Sequence, residues 1–167
     1  YPLRRQRQMC IRDRNYSCSV SDNPEISIVI DRSYGVSVLH GLTKLTDALE
    51  AKNISWEKVG TVEDAKGEKI IIAGLSDNNG LASQVLKTRG HIVPEVAEAL
   101  TILKTKWKKK SVWVISGFDD RGLMYALLDV AERIGWSTNT KSPMAEVEEI
   151  TEQPAVPERA ISIYTMN

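Results

Sequence analysis

The chain predicts a mixed α/β (α+β) fold: two-layer, with a mixed β-sheet of about five strands and two main helices packed on it. Three observations carry this. Val112, Trp113, Val114 and Ile115 form an apolar run between three lysines and Gly117, the pattern of a strand covered on both faces. Turn residues over 117–122 then lead into Leu123, Leu127, Val130 and Ile134, a helical stripe widened by Met124, Ala126 and Ala131. An earlier stripe at Val38, Leu42, Leu45 and Leu49 repeats those offsets, so two matching helices would cover one sheet.

Taken in order, residues 1–15 have no helical or strand period. They resemble translated adapter read-through at the end of a metagenomic fragment; the competing reading is a basic tail. Residues 1–24 are therefore set apart as tail and linker. Residues 25–30 form the first strand, through Ile26, Ile28, Val29 and Ile30. The first helix spans 36–52, and Asn53 ends it. Residues 54–60 are a second strand, with Gly67 in the polar turn that follows. Residues 69–73 are a third, opening a unit, IIAGLSDNNGL at 71–81, that parallels VISGFDDRGL at 114–123. Both read strand, Gly, Asp-containing turn, Gly, Leu. A short helix covers 81–87 and stops near Gly90.

Residues 91–110 admit two readings. Pro94 could open a helix running to 106. A strand over 99–107 is preferred, because Thr101, Ile102, Thr105 and Trp107 favour β structure. Lys104, Lys106 and Lys108 then share one solvated face. In the turn before the last helix, Asp119 or Asp120 can accept the first free N–H groups. Gly135 is the expected stop. Residues 136–167 read as linker, with an acidic run and then a final strand at 160–164.

Composition excludes some classes. The 167 residues are 42% hydrophobic and 26% charged, which suits one domain with its own core. Net charge is zero, so the total favours neither nucleic acid nor an anionic membrane. Five of the 22 bases and one of the 22 acids lie in residues 1–14, leaving 17 against 21, a net of −4 for the rest. No apolar stretch approaches the roughly 20 residues of a membrane span. No apolar leader follows the N-terminal arginines; a periplasmic or secreted location would require a signal peptide ahead of residue 1. Cys10 and Cys18 define no disulfide framework.

VISGFDDRGLMYALLDVAERI resembles the strand–turn–helix that closes the N-terminal accessory domain of α-glucuronidases and of related glycoside hydrolases such as β-hexosaminidases. The residues that carry the likeness are Gly117, Asp119, Asp120, Arg121, Gly122, Leu123, Tyr125 and Ala126. The upstream stretch at 98–102 is similar to the glutamate-led strand before it. The likeness covers roughly residues 25–166 and implies an accessory domain at 25–135. It also implies that 136–167 leads into a (β/α)8 catalytic barrel absent from the chain. On that basis the chain is a non-catalytic part of a polysaccharide-degrading enzyme, truncated before the barrel. It would pack on the barrel and support the substrate entrance, with no cofactor and with carbohydrate as a further partner. The alternative is a self-contained small-ligand-binding or structural α/β module.

Little catalytic chemistry is legible. His40 and His91 lack a second His or Cys at ligand spacing, so no metal site is expected. GFDDRG lacks the spacing of a dinucleotide cradle. Asp119 and Asp120 are adjacent, whereas glycosidase carboxylates flank a bond from roughly 5–9 Å apart; capping is the expected role, and no catalytic residue is assigned. Arg121 could take a sugar carboxylate bidentately, or pair with Asp119, Asp120 or Glu132. Asp119, Asp120 and Arg121 are therefore the candidate ligand-binding residues. Trp56, Trp107, Trp113 and Trp136 could stack on sugars but serve more often as core or interface anchors. The lysine run at 104–110 reads as a solvated hairpin, so no nucleic acid is expected.

Overall fold

The computed structural model describes residues 24–31, 34–76, 79–139 and 142–156. The elements run β1 (Ile26–Ile30), α1 (Val36–Ala51), β2 (Trp56–Val59), β3 (Lys69–Leu75), α2 (Leu81–Thr88), β4 (Leu100–Trp107), β5 (Lys110–Gly117), α3 (Asp120–Trp136) and β6 (Ile150–Glu152), with a 3-10 turn at Pro143–Glu146 before β6. The six strands form one mixed sheet in the order β2-β1-β3-β5-β4-β6. β1, β2, β3 and β5 pair in parallel, while β4 is antiparallel to both β5 and β6.

Side-chain alternation along the strands builds two cores. Ile28, Ile71, Ile102 and Ile115 face α1 and α3, which bury the two stripes expected of them. Val29, Ile70, Ile72, Val112 and Val114 face the other way. The short helix α2 covers part of that second face with Ala82 and Leu86. The continuous apolar runs of β3 and β5 follow directly, since both faces of these strands are covered.

Two helix ends form where expected. Asn53 takes φ 56°, and Ile54 N–H reaches back to Leu49 O while Asn53 N–H reaches Glu50 O. Gly90 takes φ 63°, with His91 N–H on Leu86 O and Gly90 N–H on Lys87 O. Both are the left-handed stop that satisfies the last carbonyls of a helix. Gly135 is not such a stop. α3 continues through it to Trp136, because Ser137 N–H still bonds Arg133 O, and Ser137 O is then held by Lys52 Nζ at 2.8 Å.

Between the two readings of 91–110, the strand holds. Thr101, Ile102 and Leu103 lie opposite Ser116, Ile115 and Val114, and Pro94 sits in irregular chain before β4. The stretch after α3, read as linker, contributes Met144 and Val147 to the first core and β6 to the sheet edge. The basic tail with Cys10 and Cys18, and the strand expected at 160–164, lie outside the described residues.

Candidate functional site

The turn between β5 and α3 is held from three sides. Phe118 N–H donates to Ala99 O at 2.9 Å, docking the turn on the chain that enters β4. Asp119 is extended and caps α3, its Oδ1 accepting from Gly122 N–H at 2.8 Å. Its Oδ2 accepts from Glu98 N–H at 3.1 Å. A Cβ on Gly122 would run into the Ala99 carbonyl, so the first turn of α3 needs a glycine to lie this close to the neighbouring chain.

Asp120 points elsewhere. Its Oδ2 accepts from Gly35 N–H at 2.8 Å. Gly35 is the N-cap of α1 and has no side chain to offer, so α3 ties down the start of α1. Arg121 pairs with Glu98, Nη1 to Oε1 at 3.3 Å, rather than with Asp119, Asp120 or Glu132. Glu98 reaches it from a left-handed backbone position, φ 66°. The Arg121 side chain is 69% exposed, so this pair contributes little to stability.

A third aspartate does the same work at the end of β1. Asp31 N–H donates to Ala73 O, and Asp31 Oδ1 accepts from Leu81 N–H at 2.9 Å. It thereby caps α2, whose own N-cap is Gly80. Burial pushes the Asp31 carboxyl above the usual aspartate value, against the lowering effect of the Leu81 and Ala82 N–H groups. Its Oδ2 is buried with no hydrogen-bond partner among the described residues. Thus each of the three α-helix starts among the described residues receives an aspartate, and two of these aspartates come from a different element.

This geometry bears on the sequence candidates. Asp119 and Asp120 aim at β4 and α1 respectively, so they do not converge on a common point. The parallel turn at 76–80 contains Asp77, which lies outside the described residues. Beside the carboxyl ends of β3 and β5, Ser76, Phe118, Ser83 and His91 line a crevice of about 200 Å³. Small-molecule sites usually run to roughly 300–1,000 Å³. Among the described residues, no group of His, Cys, Asp and Glu is placed to hold a metal ion. His40 is exposed on α1.

Two features escaped sequence reading. Asp31 could have been suspected, because it directly follows an apolar strand while α2 lacks a capping side chain. His91 Nε2 lies 2.8 Å from Thr101 Oγ1 and 2.9 Å from Thr151 Oγ1. That cluster depends on the β4–β6 pairing, for which three residues of an acidic stretch give no periodic signal.

No protein-family model and no curated protein matches the chain. A solved structure does: a GH138 enzyme targeting pectin rhamnogalacturonan II, at a TM-score of 0.53 and 14% identity over 78% of this chain. That likeness shows a fold shared with part of a glycoside hydrolase. The chain spans about 15% of that enzyme's length.

Proposed function

We propose that the chain is a non-catalytic accessory domain of a carbohydrate-active glycoside hydrolase. It packs on a (β/α)8 catalytic barrel and supports the substrate entrance. The fold likeness carries this reading: most of the chain matches a small fraction of a much longer glycoside hydrolase. The turn that resembles α-glucuronidase and β-hexosaminidase accessory domains is consistent with it. So is the use of Asp119 and Asp120 as fasteners for α3 and α1. Of the three sequence candidates, Arg121 keeps a largely exposed head that a ligand carboxylate could take, paired with Glu98, while Asp119 and Asp120 are taken up at the starts of α3 and α1. The small crevice at the strand ends weighs against the self-contained ligand-binding alternative.

Recovering the parent reading frame tests the proposal directly. The expected result is a (β/α)8 barrel encoded after residue 167, and no turnover of an aryl glucuronide or aryl hexosaminide by the purified chain. A stop codon in place of a barrel overturns the proposal. So does glycoside turnover by the isolated chain that is abolished by Asp119→Asn.

A further inference from the structure

We propose that the depression between α2 and the β4–β5 hairpin binds an uncharged β-linked pyranosyl chain, one whose equatorial hydroxyls leave the ring faces apolar. The sugar rests on the glycoside hydrolase reading above; its lack of charge and its flat faces rest on the lining. α2 has only eight residues and covers the second face of the sheet in part, with Ala82 and Leu86. Beside it, a depression of about 390 Å³ stays open, floored by Ile72, Thr105 and Val112. An adjoining depression of about 440 Å³ shares Arg89, Thr105 and Val112 and extends along the hairpin. Each falls within the roughly 300–1,000 Å³ of a small-molecule site.

Strand alternation decides which side chains enter. Thr105 lies opposite Val112 in the β4–β5 register, so Thr105 and Trp107 share the face of Val112 and Ile72. Lys104 lies opposite Trp113, which belongs to the first core, so Lys104 and Lys106 turn their side chains toward α1 and α3 instead. Neither depression is bordered by an Asp or Glu among the described residues. That leaves Arg89, exposed at the end of α2, as the charged side chain of the rim. Such a lining does not select an anion.

It offers a stacking surface and hydrogen-bonding groups around it. Trp107 borders the depression with 40% of its surface exposed, an apolar ring for the flat face of a sugar. Residues two apart on a strand stand about 7 Å from each other, so Thr105 lies about one sugar ring away from Trp107. Thr105 Oγ1 is buried with no hydrogen-bond partner among the described residues. A polar atom left in that state is costly, and a ligand hydroxyl seated on the floor would pair it. On the helix wall, Gln84 Nε2 donates to Asn79 O at 2.9 Å, which leaves Gln84 Oε1 to accept from a ligand hydroxyl. The Arg89 guanidinium adds donors. An apolar protein side chain would fill the floor as well, but polar groups on both walls and in the floor suit the hydroxyls that ring a sugar.

Calorimetric titration of the full chain with a cello-oligosaccharide and with an oligogalacturonate of the same length is the test. The cello-oligosaccharide should bind, and its affinity should not change as salt is raised, because no ion pair is there to be screened. Oligogalacturonate, with a carboxylate and an axial hydroxyl in each ring, should bind at least about tenfold more weakly, a difference of about 1.4 kcal/mol. Trp107→Ala should weaken cello-oligosaccharide binding by a similar factor, with an unchanged circular dichroism spectrum, since the side chain is exposed. Thr105→Val should weaken it several-fold without lowering the melting temperature, since the hydroxyl it removes has no partner in the free protein. No binding of the cello-oligosaccharide, equal or tighter binding of oligogalacturonate, salt-sensitive binding, or variants that bind like the parent would each overturn the proposal. Self-association of the chain that Trp107→Ala abolishes would give the depression to a protein surface and overturn it too. A parent gene without a barrel would overturn the accessory-domain reading while leaving cello-oligosaccharide binding intact. Absent binding in a chain that does precede a barrel would remove the sugar site alone.

Discussion

At the scale of the residue, the fold depends on a few positions whose roles differ in kind. Leu127 is fully buried in the core shared by α3, α1 and the sheet. Leu127→Ala should cost roughly 2–5 kcal/mol in urea unfolding, from lost transfer energy plus the cavity left behind. A loss under about 0.5 kcal/mol would mean that α3 buries a different face. Asp31 behaves differently, because its burial opposes its charge. Its folded-state pKa lies above the ordinary 3.8, so the folded protein holds that proton more tightly than the unfolded chain does. Its contribution to stability is complete at pH below the ordinary value and is lost as pH rises through the raised one. Asp31→Asn cannot ionise and keeps an acceptor for Leu81 N–H. The melting temperature of the variant relative to the parent should therefore climb as pH rises from about 3 toward neutrality. A difference that is flat with pH, or that falls, would show that Asp31 is not held above its ordinary value.

At the scale of the element, helices are started by their neighbours. Glycine caps both α1 and α2, and in each case a distant aspartate supplies the missing acceptor. Asp120→Ala should thus act across the interface. It should destabilise the protein by about 1–2 kcal/mol, the usual cost of a lost cap. It should also raise amide hydrogen exchange in the first turn of α1 more than in α3, whose cap Asp119 is untouched. Faster exchange confined to α3 would show that the bond to Gly35 is not what secures α1. α1 and α3 also approach closely: a Cβ on Gly41 would lie 3.0 Å from Leu127 Cβ and 3.1 Å from Met124 O. The glycine is thus a spacing device between the two helices that cover the first core.

At the scale of the whole molecule, one sheet separates two unequal cores. The first uses α1, α3 and the chain around Met144; the second uses the short α2. Because β3 and β5 contribute alternate residues to both, damage to one core should be felt in the other. Leu86→Ala, in the second core, should cost about 2–5 kcal/mol. It should lower the midpoint seen by tryptophan fluorescence, which reports Trp56 and Trp113 in the first core, as much as the midpoint seen by far-UV circular dichroism. Separated midpoints would mean that α2 and its side of the sheet unfold independently. Exposed apolar surface is expected at Ile161, Ile163, Tyr164 and Met166, which lie outside the described residues. Trp136 is 74% exposed at the end of α3.

What the sequence determined by itself is local and periodic. The stripes of α1 and α3, the apolar runs of β3 and β5, the left-handed stops at Asn53 and Gly90, and the cap at Asp119 all arise from residues within a few positions of one another. Spacing and turn chemistry reveal them for that reason. The choice of strand for Leu100–Trp107 was legible from β-forming residues, although its pairing with β5 made it stable. Tertiary structure alone decided which face α2 covers, how far α3 runs past Gly135, and that Ile150–Glu152 joins the sheet. It also decided the partners of Asp31, Asp120 and Arg121, which lie 50, 85 and 23 residues away in sequence. The depression walled by α2 and floored by Ile72, Thr105 and Val112 belongs to this second class, since its walls come from elements that only the order of strands across the sheet brings together. Contacts closed over such distances leave no period in the chain, because their free energy comes from packing that exists only after folding.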